Sequence, residues 1–193
     1  KKNIKIDFYY SSLQLRANKT LKIIQKVLND EKDFIKAWQI NERHYGALTG
    51  MNKIEMGQKI GKDKVYQLRR SWEMKPDPLS RESPYHPLNI QTYKNVPKRK
   101  IPDTESLKDT YERVIKFYEE EIKSHLKNKN VLVSAHGNSI RALCKYLFKI
   151  DNDQISKLEI PTGNPMVIEL NEKYEIQNCE YLDKNRSKNL IIF

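Results

Sequence analysis

VLVSAHGNSIRALCKYLFK, Val131 to Lys149, is the stretch on which the fold turns. Its first five residues, Val131 to Ala135, form an unbroken run of apolar and small side chains, as expected of a strand buried on both faces. His136, Gly137 and Asn138 make the turn. From Ser139 to Lys149, Ile140, Leu143 and Leu147 recur at three- and four-residue spacing, the stripe of a helix that packs inward. A buried strand passing through a tight turn into a helix is the building unit of α/β folds. At such a junction the helix N-terminus offers free N–H donors and the positive end of its dipole to a phosphate or carboxylate. His136 therefore stands where it can hydrogen-bond an anion or act in phosphoryl transfer. A hydrogen-bonded structural histidine fits the same pattern, and spacing does not choose between the two.

Working outward, Ile4, Ile6 and Phe8 alternate with polar residues, the period of a half-buried strand, and Ser11 and Ser12 are expected to end it. Either serine is suited to cap the next helix, whose stripe is Leu13, Ala17, Leu21, Ile24 and Leu28. Arg16 falls in its first turns. Leu107, Tyr111, Val114, Tyr118, Ile122 and Leu126 predict another helix, and Met166 to Leu170 and Tyr174 to Leu182 predict two strands joined at 171–173. Strands alternating with helices predict an α/β three-layer sandwich over residues 1–193, a mainly parallel sheet flanked by helices in one domain. Ligands of such sheets collect outside the carboxyl ends of the strands. Ser11 to Arg16 and Ala135 to Asn138 should then share one rim. Six of the eight prolines lie between Pro76 and Pro102, so residues 76–103 read as a long insertion or a lid, since a loop of that length is uncommon without a function.

Composition narrows the classes. The formal charge of +11 would suit a polyanion, but the lysines are scattered, and the densest run, KNVPKRK at Lys94 to Lys100, sits in the proline-rich loop with no aromatic ladder beside it. A solvated basic surface is the reading, with no nucleic-acid partner; such a surface also steers small phosphorylated acids. The longest apolar runs, Val131 to Val133 and Leu190 to Phe193, are far too short to span a bilayer, and no signal peptide opens the chain, which predicts a cytoplasmic protein without a membrane partner. Cys144 and Cys179 read as reduced thiols. No metal-ligand spacing is present, so no metal is expected.

The other chemistry lies in NERHYGALTG, Asn41 to Gly50. Glu42, Arg43, His44 and Tyr45 place an acid, a fixed cation, a titratable ring and a phenol together on a stretch without apolar periodicity, a set suited to proton transfer beside an anion. A solvated loop with a local ion pair satisfies the same residues. Arg69 and Arg70 read by themselves as exposed arginines, and Lys53 carries no signal alone.

Taken together, WQINERHYGALTGMNK (Trp38 to Lys53), FYYSSLQLRANKT (Phe8 to Thr20), LRRSW (Leu68 to Trp72), IPDTESLKDTYERV (Ile101 to Val114), SAHGNSIRAL (Ser134 to Leu143) and IPTGNPMVIEL (Ile160 to Leu170) resemble, in order and approximate spacing, the blocks of cofactor-dependent phosphoglycerate mutases of the histidine phosphatase superfamily. The likeness covers nearly the whole chain. It implies that Glu42 is the general acid and base towards the substrate hydroxyl and that His136 stabilises the moving phosphoryl group. It implies that Arg16, with Gly137 and Asn138, holds that phosphate, and that Arg43, His44, Tyr45, Lys53, Arg69 and Arg70 grip the carboxylate and the other phosphate. Two anionic ends and bidentate arginines are chemically matched.

The implied reaction interconverts 3-phosphoglycerate and 2-phosphoglycerate through a phosphohistidine primed by 2,3-bisphosphoglycerate, without metal, in a homodimer or homotetramer. A bisphosphoglycerate mutase, a phosphatase of the same superfamily and a catalytically dead anion-binding homologue are the alternatives; the extended NERHYG block and the proline-rich insertion favour the mutase. The family's attacking histidine belongs to an RHG motif on a first strand with a phosphate loop, and no RHG occurs in this chain. The 193-residue chain alone is therefore expected to be inactive and poorly folded, with that strand and loop supplied from upstream of Lys1.

Overall fold

A computed structural model describes residues 4–187; the apolar run at Leu190 to Phe193 lies outside the described residues. The sheet forms from β1 (Phe8–Ser12), β2 (Ile35–Ala37) and β3 (Val131–Ser134), in the order β2-β1-β3 with every pair parallel. β1 is central: Ser12 pairs with Ala37 on one side and Ser11 with Ser134 on the other. The carboxyl ends of the three strands consequently lie at one level, which is the rim the sequence predicts.

β1 begins later than the alternation at Ile4, Ile6 and Phe8 suggests, and it includes Ser11 and Ser12, both fully buried, instead of stopping at them. The reason is the strand's central place. Flanked on both edges and covered on both faces, it has no wet side to produce alternation, and the hydroxyl of Ser12 finds polar partners inside the site. The next helix, α1 (Leu15–Leu28), accordingly takes Gln14 as its N-cap, with no side-chain capping bond. It covers one face of the sheet through Ala17 and Leu21, and Ser134 Oγ donates to the Ala17 carbonyl at 2.9 Å. Ile24 is only partly buried and Leu28 is exposed, so the inward stripe is shorter than its periodicity implies.

The opposite face is covered by α4 (Leu107–Phe117) and α5 (Gly137–Leu147). α2 (Lys53–Ile60) and α3 (Lys62–Arg70) precede them in the chain. Tyr10, Phe117, Tyr118 and Ile122 pack with Val133, Leu143 and Leu147, while Leu107, Val114, Ala142, Ile155 and Leu158 form a second cluster that reaches Leu143. Truncating one of these leucines to alanine typically costs about 2–5 kcal/mol. α4 starts with a capping box in which Ser106 and Asp109 bond reciprocally, a device worth about 1 kcal/mol. The apolar stripe continues to Leu126, but after Phe117 the helix loosens to a π turn (Tyr118–Ile122) and tightens to a 3-10 turn (Lys123–Leu126).

A short helix, α6 (Asn152–Ile155), leads to β4 (Met166–Leu170) and β5 (Ile176–Tyr181), which pair antiparallel as a separate hairpin. The layers are thus α1, the parallel sheet, and α4 with α5. Residues 76–103 hold only 3-10 turns and loop, as the prolines predict. Arg81 and His86 of that stretch both bond Asp103, Arg81 through two nitrogens at 2.9 and 3.1 Å.

Candidate active site

The rim assembles first around His136, which caps α5 at the end of β3 and is 6 % exposed. Arg16, in the first turn of α1, donates from Nε to His136 Nδ1 at 3.1 Å. An arginine nitrogen only donates, so Nδ1 accepts and the ring proton sits on Nε2. That proton points to Ser12 Oγ at 2.7 Å, and Ser12 Oγ also accepts from the Gln14 N–H. Ser139 Oγ accepts from the His136 N–H at 3.1 Å and sets the entry into the helix.

Burial, followed by the charges of Arg16 and Arg113, drives the His136 pKa down to about 3, so the ring is neutral at physiological pH. The unfolded chain binds this proton near pH 6.5 and the folded chain does not, so stability present above that pH is lost as pH falls from about 6.5 towards 3. From pH 7 to pH 5 the loss should be about 2 kcal/mol larger in the ligand-free protein than in His136→Asn. Urea unfolding of both at each pH measures it; parallel stability curves would rule the effect out.

Glu42 reaches the same rim from the loop after β2. Its Oε1 accepts from the Arg43 N–H at 2.9 Å, from the Asn138 N–H at 3.3 Å and from Asn138 Nδ2 at 3.0 Å. Gln14 ties this loop to the histidine's side of the site, because its Oε1 accepts from the Glu42 N–H at 3.1 Å while its backbone N–H holds Ser12. Asn138 Nδ2 also donates to Tyr45 Oη at 2.7 Å, and the Arg69 guanidinium lies 4.6 Å from the centre of the Tyr45 ring. Gly46 is required here: at φ +52° it passes so close to Asp77 and Thr104 that a Cβ would fall 2.2 Å from the Asp77 carbonyl oxygen.

Beside these groups opens a cavity of about 450 Å3. Arg16, Glu42, Tyr45, Arg69 and Arg113 line it from the sheet side, and Tyr85, Ile90, Tyr93 and Lys100 from the proline-rich segment. Cations and two carboxylates, Glu42 and the Arg113-paired Glu105, around a concave space suit a small polyanion and a proton transfer beside it. Among the described residues no group of three or more His, Cys, Asp or Glu is arranged to hold a metal. None of their helices is long and apolar enough to cross a membrane.

Not every residue singled out in the sequence turns its polar atoms to the cavity, although Arg43 and His44 are both part of its lining. Arg43, 2 % exposed, spends its guanidinium on the carbonyls of Leu68, Arg69, Met74 and Glu105, and so braces the loop from behind. His44 is kept neutral by burial, which outweighs the nearby Glu105 charge, and its Nδ1 accepts from the Gly46 N–H. Arg70 pairs with Glu159 at 2.6 Å. Lys53 opens α2 on the surface and does not line the cavity. Gly137 follows His136 as the first residue of α5.

Sequence reading singled out neither Ser12, Gln14, Tyr93, Glu105, Arg113 nor Arg141 as site residues. Glu105 and Arg113 form a buried ion pair through two nitrogens at 2.6 and 2.9 Å. Arg113 also donates to the carbonyls of Gln39 and Glu42. Their eight-residue spacing on and before α4 carries no signal of its own, because their partners come from the loop after β2.

Fold and site together define an α/β protein that brings a neutral histidine, arginines and a carboxylate to one rim. The sequence matches the histidine phosphatase superfamily (branch 1) over residues 1–88 and 80–179. The chain belongs to the histidine phosphatase superfamily. It is 64 % identical over 191 residues to a 2,3-bisphosphoglycerate-dependent phosphoglycerate mutase of Pelagibacter ubique (strain HTCC1062), covering 98 % of this chain and 80 % of that protein. To the enzyme of the same name from Borreliella afzelii (strain PKo) it is 47 % identical over 185 residues, covering 94 % and 75 %. Among solved structures, mycobacterial glucosyl-3-phosphoglycerate phosphatase in complex with inorganic phosphate superposes with a TM-score of 0.64 at 15 % identity, covering 92 % of this chain and 75 % of that one. At that identity the likeness speaks for the fold alone.

Proposed function

We propose that the full-length protein interconverts 3-phosphoglycerate and 2-phosphoglycerate through a phosphohistidine primed by 2,3-bisphosphoglycerate, without a metal ion. The observation that carries the reading is the joining of two functions on one rim: Arg16 on His136 at 3.1 Å makes a phosphate seat, and Asn138 on Glu42 at 3.0 Å fixes an acid–base group beside it. A phosphate between Arg16 and His136 would replace their mutual hydrogen bond with two charge-assisted ones and raise the proton affinity of the ring, readying it to steady the transferring group. Glu42 then serves the substrate hydroxyl, while Arg69 and Lys100 face the remaining anionic groups.

A coupled assay of the full-length protein with 3-phosphoglycerate, run in chelator with and without the primer, should give turnover that survives the chelator and depends on the primer. Loss of activity in chelator, or indifference to the primer, would overturn the proposal. The same preparation in sedimentation equilibrium should run as a dimer or tetramer, since Ile23 and Val27 on α1 are 64 % and 80 % exposed. A monomer at micromolar concentration would remove that part of the reading.

A further inference from the structure

We infer that Arg141 is a positioning residue that sets the orientation of the Asn138 amide and, through it, holds the Glu42 carboxylate; this rests on the mutase reading for its consequence in turnover. Arg141 lies one helical turn beyond Asn138 on α5 and is 5 % exposed. Its Nη1 donates to Asn138 Oδ1 at 2.6 Å, and its Nε donates to the Leu158 carbonyl at 2.9 Å, which anchors the guanidinium from the far side. An arginine has donors only, whereas an asparagine amide presents oxygen on one side and NH2 on the other. The atom of Asn138 that meets Arg141 is therefore oxygen.

That assignment forces the NH2 group the other way, onto Glu42 Oε1 at 3.0 Å and Tyr45 Oη at 2.7 Å. Turning the amide over would set NH2 against the buried guanidinium N–H and oxygen against the carboxylate, two repulsive contacts of which the first is shut away from water. Asn138 itself is 4 % exposed. Arg141 touches no group that reacts in the proposed chemistry. Its effect is that the carboxylate of Glu42 is met by a side-chain donor as well as by the Asn138 N–H, and so keeps one position relative to the cavity.

The test uses the full-length protein with Arg141→Gln, Arg141→Lys, Asn138→Ala and the Arg141→Gln/Asn138→Ala double variant. Glutamine presents both a donor and an acceptor and no longer dictates the amide's orientation; lysine, a donor only, still does. Arg141→Gln should lower kcat about tenfold with KM little changed, Arg141→Lys should recover most of it, and the double variant should be no slower than Asn138→Ala alone. Losses that multiply in the double variant would mean that Arg141 acts without Asn138 and would overturn the inference. A second readout needs no activity: the side-chain NH2 protons of Asn138 should be protected from exchange with solvent, and that protection should fall in Arg141→Gln and persist in Arg141→Lys. Unchanged exchange protection of the Asn138 NH2 group in Arg141→Gln would also overturn it. If the unmodified protein turned over no phosphoglycerate while the protection responded as stated, the mutase reading would fall and the positioning role would stand.

Discussion

Glu42→Gln should cut mutase turnover by about 10²- to 10⁴-fold, the range expected when a general acid–base group is removed, while transfer of phosphate from the primer to the protein falls far less. His136→Ala should slow both. The division follows from where each side chain sits. Glu42 is tied to Asn138 and the loop after β2, beside the cavity, and has no bond to His136 among the described contacts. Its replacement by an amide preserves shape and hydrogen-bonding size but cannot accept a proton from a substrate hydroxyl. His136 instead shares its ring with Arg16 and Ser12 at the strand ends, where the moving phosphoryl group would gain charge stabilisation in either direction of transfer. Rapid-quench trapping of phosphoenzyme, set against steady-state turnover, separates the two steps. Equal losses in both steps for both variants would dissolve the proposed roles.

Glu105→Leu should destabilise the protein by about 3–5 kcal/mol, the cost of leaving one member of a buried ion pair behind. Glu105 is 4 % exposed, and its carboxylate takes Arg113 through two nitrogens and the His44 N–H at 2.8 Å. Without it Arg113 keeps its charge in a place where only the carbonyls of Gln39 and Glu42 remain as partners. The double variant Glu105→Leu/Arg113→Met removes the stranded charge and should regain part of the stability, because a buried pair can be replaced by packed apolar groups at little cost. It should not regain turnover, since the 42–45 segment loses its brace. Urea unfolding of the three proteins measures this; a loss below about 1 kcal/mol in Glu105→Leu would mean that the pair is solvated and does not hold the loop.

How far the chain's own residues announce this arrangement depends on whether the signal is local. The strand–turn–helix at Val131 to Leu147 was legible because its parts are contiguous: an apolar run, a glycine-containing turn and a 3.6-residue stripe. The helix at Leu107 was legible for the same reason, but its unwinding at Tyr118 was not, since the apolar stripe continues unchanged through the π turn to Leu126. Alternation at Ile4, Ile6 and Phe8 places the start of β1 too early; a strand flanked on both sides has no reason to alternate, and its Ser12 is held by site contacts that come from 124 and 2 residues away. Neutral His44, the outward Lys53 and the Arg70–Glu159 pair likewise depend on burial and on neighbours distant in sequence.

By itself the sequence determined the α/β class and the shared rim of Arg16 and His136, because strand and helix periods and the rule for parallel strand ends follow from backbone geometry; the acid–base role of Glu42 rests on the family resemblance. Tertiary structure alone decided which arginines face the cavity and which act as braces. Arg43 and Arg141 are as cationic in the sequence as Arg16 and Arg69, but each is buried against carbonyls that other elements bring to it. A buried guanidinium must have its donors satisfied, and only the folded chain determines whether backbone, carboxylate or a bound anion does so.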